Sequence, residues 1–178
     1  MVQIGQCGNQ VGHQFWKMGL KEQNLSPSDT FFYETQSSTE NTKTLKARAV
    51  LIDMEESVIS RISNDKNSGN GAGSSIYDSE CKILDQSGAG NNWAVGHFEY
   101  MNQHRSQISE VLRHQAEKCD CLQGIFTIHS MGGGTGSGLG SAVTEFIGEN
   151  YSEVERFSFP VYPNANQDDV ITSPYRVV

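Results

Sequence analysis

No long hydrophobic run occurs among the 178 residues of this sequence, of which 36% are hydrophobic and 19% are charged. Because a membrane-spanning helix needs about 20 consecutive apolar residues, the sequence predicts no transmembrane segment and no membrane partner. The first five residues, Met-Val-Gln-Ile-Gly, form neither the basic nor the apolar segment that begins a secretory signal. We therefore expect a protein of the cytoplasm.

Basic residues are also scarce, with 13 lysines and arginines against 21 acidic residues and a formal net charge of −8. Such a surface repels nucleic-acid phosphates unless basic side chains cluster locally. The densest basic group, Lys43, Lys46 and Arg48, leads directly into an apolar run, so we expect no nucleic-acid partner. Only four cysteines are present, and the spacing of Cys119 and Cys121 does not fit the C-x-x-C pattern of a zinc or redox pair.

Strands and helices alternate along the rest of the chain. Apolar residues at helical spacing predict helices at 9–22, 98–118 and 139–150, and apolar runs predict strands at 47–54, 122–129 and 157–162. Pro160 inside the last run indicates an edge strand or a bulge. The alternation predicts an α/β fold that is Rossmann-like, with a mostly parallel sheet and helices on both faces. The polar segments 26–44 and 64–75 interrupt it, and the second is expected to be a mobile surface loop.

Glycine is the residue in excess, and five of the 18 glycines fall between Gly132 and Gly138. This segment lies between a predicted strand and a predicted helix, where glycines allow close backbone approach and N–H groups can point at an anion. Thr135 and Ser137 add hydroxyl groups. No lysine follows the glycines, so this is not a P-loop, and Ser141 stands where a G-x-G-x-x-G fingerprint needs glycine. The segment predicts a phosphate ligand of open identity, helped by a magnesium ion.

Acidic residues at the end of another predicted strand indicate where that magnesium ion binds. Asp53 and Glu55 lie two residues apart, on one side of an extended chain, and carboxylates are ligands that Mg²⁺ prefers. Two further small-residue loops, 5–10 and 87–94, also precede helices. Loops of this kind meet at the carboxyl edge of a parallel sheet, so all four segments are expected to form one site.

Histidines contribute no predicted catalytic residue. His129 ends a strand and is expected to be a core residue, whereas His97, His104 and His114 are expected on or beside an exposed helix. No order of serine, histidine and acid suggests a nucleophilic triad. We therefore predict a binding site with no catalytic side chain.

Three of these segments, taken in order, carry a family resemblance. Residues 5–10 (GQCGNQ), 88–94 (GAGNNWA) and 132–138 (GGGTGSG) resemble the GTP-binding loops of tubulin, and the last resembles the tubulin signature. Within the family, residues 44–56 and 168–175 look most like the epsilon branch, the tubulins of the centriole and basal body. The resemblance covers nearly the whole chain apart from the polar segments.

The resemblance implies GTP or GDP as ligand, with Mg²⁺. It places Ala89, Gly90 and Asn91 at the γ-phosphate end of the nucleotide. Ser173 departs from the pattern, because α- and β-tubulins carry a glutamate there that bonds the ribose. The complete implied set is Gln6, Cys7, Ala89, Gly90, Asn91, Ser130, Gly133, Gly134, Thr135, Gly136 and Asp169 for GTP, and Gln6, Asp53 and Glu55 for the metal.

Tubulins are more than twice as long, so the resemblance implies that residues 1–178 are the N-terminal nucleotide-binding domain without the intermediate and C-terminal domains. The implied partners are other tubulins, self or heterotypic, through a longitudinal interface. The implied location is the cytoskeleton, at the centrosome, centriole or basal body. Because a neighbouring subunit would supply the group that triggers hydrolysis, we expect the isolated chain neither to hydrolyse GTP usefully nor to polymerise. The alternatives are a Rossmann-type NAD-dependent oxidoreductase and a non-catalytic fragment that binds a tubulin partner.

Overall fold

A computed structural model describes residues 1–23, 30–36, 43–65 and 75–164 of the chain. The strands within these ranges are β1 (Val2–Ile4), β2 (Phe32–Gln36), β3 (Lys43–Ala47), β4 (Val50–Asp53), β5 (Lys82–Leu84), β6 (Gly124–Ser130) and β7 (Glu155–Val161). Five of them form a parallel sheet in the order β5-β4-β1-β6-β7, and β2 and β3 form a separate antiparallel pair. The predicted α/β fold with a mostly parallel sheet is confirmed.

Four α-helices connect these strands: α1 (Gly5–Gln23), α2 (Glu56–Ser63), α3 (Met101–Glu117) and α4 (Gly140–Asn150). A π-helical turn leads directly into each of the last two, at Val95–Tyr100 before α3 and at Thr135–Leu139 before α4. A short 3₁₀ turn precedes β5. In the parts of the chain that the structure describes, no helix has the length and apolar character needed to cross a bilayer.

The central strands of the sheet are covered on both faces, because they alternate their apolar side chains between two cores. Val50 and Ile52 of β4 point into the core beneath α3 and α4. Leu51, between them, points into the other core, which includes Trp16 of α1 and Phe32 of the hairpin. All five of these side chains are at most 2% exposed, so the predicted helices on both faces are confirmed.

Several element boundaries differ from the sequence prediction. The strand predicted at 47–54 is divided, because β3 ends at Ala47 and a short turn precedes β4 at Val50. The N–H of Arg48 there donates to the carbonyl oxygen of Phe31. The first helix begins at Gly5 and therefore includes the small-residue segment that we had predicted as a loop.

Four elements were missed, namely β2, β3 apart from its last residue, α2 and β5, each of at most eight residues. β2 lies in a segment that we had described only as polar. Most of the predicted mobile loop at 64–75 falls outside the described residues. Pro160 does lie in β7, the last strand in the sheet order, as a proline at an edge position should.

Candidate functional site

The candidate site lies at the edge of the sheet where the parallel strands end. Ile4, near the end of β1, pairs with Ile52 on one side and with His129 on the other. The last residues of β4 and β5, Asp53 and Leu84, pair in turn. Because neighbouring strand ends are aligned, the loops that follow β1, β4, β5 and β6 lie side by side.

A tight turn at Ala89–Asn92 follows β5. The N–H of Asn92 donates to the carbonyl oxygen of Ala89 at 2.9 Å, and Gly90 and Asn91 between them have φ values of 55° and 57°. Positive φ at both central positions defines a type I′ turn, which glycine and asparagine favour. Gly90 and Asn91 are exposed, and Ala89 is buried.

The glycine loop after β6 packs directly on this turn. A methyl group added at Gly134 would lie 2.7 Å from the backbone nitrogen of Asn92 and 2.8 Å from the Cβ of Ala89. Gly133, the preceding residue, is different, since a methyl group there would have no atom within 4 Å. The loop is therefore fixed on one side by the turn and open on the other.

The start of α1 touches the same loop from the opposite side. A methyl group at Gly5 would lie 2.9 Å from the backbone nitrogen of Gly136. This contact places Gln6, which is exposed, and Cys7, which is partly buried, in the first helical turn beside the loop. Burial raises the pKa of Cys7. Two helix N-terminal ends, each with free backbone N–H groups, thus meet at the glycine loop.

The two candidate metal-binding carboxylates have different environments. Asp53 is 3% exposed, and its Oδ2 has no hydrogen-bond partner among the described residues. Burial raises the pKa of Asp53 to about 6, against the opposing effect of N–H groups from Met54 and Glu55. Glu55 is exposed, and its carboxylate lies so close to Gly88 that a methyl group there would come within 2.5 Å of Oε1.

Although Asp53 is buried and Glu55 is exposed, the charge of Glu55 also raises the pKa of Asp53. That the two carboxylates share one side of the chain stays a prediction. Across the described residues, no three or more histidine, cysteine, aspartate and glutamate side chains are grouped as metal ligands. A Mg²⁺ ion at this edge would therefore need further oxygen ligands, such as amide groups or phosphate.

The histidines differ from the prediction in two of four cases. His129 is buried as expected; its Nδ1 has no partner within the described ranges, and burial lowers the pKa of His129. His97 and His104 were expected to be exposed, but their side chains are only 13% and 11% exposed. The ring of His97 stacks on Trp93 with centroids 4.3 Å apart.

Asn9 is a site-supporting residue that the sequence analysis passed over. Its Nδ2 donates to the carbonyl oxygens of Gly5 at 2.9 Å and of Ile52 at 3.0 Å, inside the buried interface between α1 and β4. The available signal was the position of Asn9 seven residues before Trp16, on the same face of an amphipathic helix. The predicted residue Asp169 and the variant position Ser173 lie outside the described residues.

The structure thus brings together ten of the eleven predicted ligand residues and both carboxylates at one sheet edge. Small-residue loops and helix N-termini at the carboxyl edge of a parallel sheet are typical of α/β domains that bind phosphate-containing ligands. The family model described as "Tubulin/FtsZ family, GTPase domain" matches residues 1–178. The chain belongs to the tubulin/FtsZ family, which confirms the predicted resemblance.

Individual relatives agree with this assignment. The chain is 45% identical, over 98% of its length, to the tubulin epsilon chain of Mus musculus, and 44% identical, over 100%, to that of Homo sapiens. It is 37% identical over 99% of its length to the tubulin beta-1 chain of Homo sapiens. It spans 39% to 40% of the length of these relatives.

Proposed function

We propose that this chain is the GTP-binding domain of an epsilon-type tubulin, a cytoskeletal subunit that binds GTP or GDP. The family membership supports the nucleotide, and the higher identity to epsilon chains than to the beta-1 chain supports the branch. On this basis the partners are other tubulins, and the location is the cytoskeleton, at the centriole or basal body.

The open space beside Gly133 is the observation that carries the proposal. The neighbouring glycines, Gly134 and Gly136, are each packed against backbone atoms, and so the loop has one fixed conformation. A methyl group at Gly132 would make ordinary contacts at 3.5 Å or more, whereas one at Gly133 would have no atom within 4 Å. A phosphate placed there would meet successive backbone N–H groups and the positive ends of two helices.

Magnesium is part of the same proposal, and the donor set fits it. Oxygen ligands of Mg²⁺ in proteins are few, because the ion keeps several waters and also binds substrate phosphates. Gln6, Asp53 and Glu55 follow adjacent strands, and the free Oδ2 of Asp53 is a buried carboxylate oxygen without a partner among the described residues. When bound, the ion would neutralise phosphate charge that no lysine in the loop meets.

The test compares two glycine variants with the wild type, in the protein at its full natural length. Gly133→Ala introduces a methyl group into open space, so the free energy of unfolding should change by less than about 0.5 kcal/mol. The same methyl group should occupy the phosphate position and weaken GTP binding by about tenfold or more. Gly19→Ala, whose methyl group would only touch the ring of Phe32 at 3.5 Å, should leave GTP affinity unchanged.

Fluorescent GTP serves as the probe, with GDP, ATP and NAD⁺ as competitors. Displacement by GDP, with little displacement by ATP or NAD⁺, supports the proposal. Equal GTP affinity in Gly133→Ala and wild type would show that phosphate binds elsewhere. Displacement by NAD⁺ but not by GDP would overturn the assignment of the nucleotide.

A further inference from the structure

The segment between β5 and the first π-helical turn, residues 85–92, depends on outside contacts for its position. We call it the 85–92 loop. Gln86 and Ser87 are exposed, as are the central residues of its type I′ turn. Since the loop buries little apolar surface, hydrogen bonds must offset the conformational entropy of holding it still.

The first outside contact joins Asp85 to α3. Nε2 of His104 lies 2.9 Å from Oδ2 of Asp85, and the two side chains are 11% and 22% exposed. Gln103 adds a longer hydrogen bond to the same oxygen. The N–H of Gln86, followed by His104, lowers the pKa of Asp85. The loop thereby begins with a carboxylate held in two directions.

The second contact joins Ser87 to the π-helical turn. The hydroxyl of Tyr100 donates to the carbonyl oxygen of Ser87, and its ring is 6% exposed. Tyr100 and His104 are four residues apart, so they lie on the same face of the helix. One helical face therefore holds the loop at two points, immediately before Gly88 and the type I′ turn.

Beyond these two points the loop contacts the candidate site itself. Gly88 lies against the carboxylate of Glu55, and the turn at Ala89–Asn92 supports Gly134 of the glycine loop. We propose that His104 and Tyr100 are positioning residues. They hold the type I′ turn in the position where it contacts the γ-phosphate end of the nucleotide. This inference rests on the proposed function, which places GTP at the same edge.

If the turn contacts the γ-phosphate, variants that release it should lose more affinity for GTP than for GDP. A general loss of stability would weaken the binding of both nucleotides equally. Tyr100→Phe and His104→Ala each remove one anchor, so GTP affinity should fall about five- to tenfold, the size expected for one lost hydrogen bond. GDP affinity should change less than about twofold. His104→Gln retains an N–H donor for Asp85 and should restore most of the GTP affinity.

His114→Ala is the matched control. His114 lies on the same helix, α3, but its contact with Glu80 is 3.6 Å long, and its side chain is 37% exposed. This variant should change neither affinity. Amide hydrogen exchange of the nucleotide-free protein, read at residues 86–92, should quicken in His104→Ala and Tyr100→Phe and remain unchanged in His114→Ala.

The two measurements separate the failure of this inference from the failure of the proposed function. Equal loss of GTP and GDP affinity, or unchanged exchange in the loop, would overturn the positioning role while the GTP site stands. If wild-type protein binds no GTP, the proposed function and the γ-phosphate role fail together. Exchange then still decides whether the two residues hold the loop.

Discussion

The side-chain amide of Asn9 donates to the carbonyl oxygen of Ile52 across 3.0 Å and thereby ties the first helix to the strand that ends in Asp53. The same Nδ2 donates to Gly5, whose backbone contacts the glycine loop at Gly136. One buried amide therefore connects three segments of the candidate site. Its own Oδ1 has no partner among the described residues.

Replacing Asn9 by alanine should destabilise the fold. The variant removes both donations and leaves buried carbonyl oxygens with fewer partners, which lowers the free energy of unfolding by about 1–3 kcal/mol. Urea denaturation measures the change. Gln14→Ala, at an exposed position of the same helix, is the control, and equal stability of the two variants would contradict the role given to Asn9.

Asp53 should make stability depend on pH in a direction opposite to that of an ion-paired aspartate. Its pKa is about 6 in the folded state and near 3.8 when unfolded, so the folded protein holds the proton more tightly. The free energy of unfolding therefore falls as pH rises from about 4 to 6. Asp53→Asn should lack this fall and gain roughly 2–3 kcal/mol relative to wild type between pH 4 and pH 7.

Magnesium-free denaturation curves at several pH values test this expectation. Asp120→Asn, a substitution at an exposed aspartate, provides the comparison and should follow the wild-type profile. If the free energy of unfolding of Asp53→Asn and of wild type depended on pH in the same way, burial would not raise the pKa of Asp53.

A methyl group at Gly138 should separate the two π-helical turns. Its Cβ would collide with the carbonyl oxygen of Trp93 and lie 2.9 Å from the backbone nitrogen of His97. Backbone atoms cannot rotate away, so Gly138→Ala should lower the free energy of unfolding by about 1–3 kcal/mol. The fluorescence of Trp93, which stacks on His97, should shift as well, and an unchanged spectrum would contradict the contact.

The antiparallel pair of β2 and β3 should become less stable when the hydrogen bond between Tyr33 and Asp78 is removed. Burial opposes ionisation of Asp78, but hydrogen bonds from Lys118, the N–H of Glu80 and Tyr33 hold its pKa down at about 2. Tyr33→Phe removes the 3.0 Å bond from the Tyr33 hydroxyl and should lower stability by about 1 kcal/mol. Lys118 follows the last residue of α3, whereas the glycine loop lies near the first residue of this helix. The contacts of Asp78 are therefore remote from the candidate site.

Amide exchange in the hairpin should therefore quicken in Tyr33→Phe while GTP affinity stays within about twofold of wild type. Glu34→Ala, at the neighbouring exposed position of β2, is the matched variant. A change in GTP affinity comparable to the change in stability would show that the hairpin and the site are coupled.

Sequence patterns were sufficient for elements that bury a regular apolar face. The runs that became β4 and β6 and the helical spacing in α1, α3 and α4 reflect residues buried in the two cores. The apolar run of β7 also predicted a strand, although most of its side chains are exposed. Sequence patterns were insufficient for β5, with three residues, and α2, with eight, because so few residues carry little periodicity.

The loops of the candidate site could be predicted because their glycine content is unusually high. Glycine-rich segments can be recognised directly in the sequence, whereas the environment of a side chain depends on residues far away along the chain. His104 is only 11% exposed and contacts Asp85, which follows β5, and Asp53 is buried whereas Glu55, two residues further on, is exposed. Neither fact has a local signal.

The π-helical turns at Val95–Tyr100 and Thr135–Leu139 restrict how this domain can tolerate changes in length. A π turn holds one more residue per hydrogen-bonded ring than an α turn does. Deleting one residue there would convert the π turn into an α turn and keep the following helix in register, whereas inserting a further residue would rotate that helix by about 100° about its axis. Ile108 and Val143, buried against the sheet from α3 and α4, would then face solvent. Each of the two turns should therefore tolerate the loss of one residue better than the gain of one.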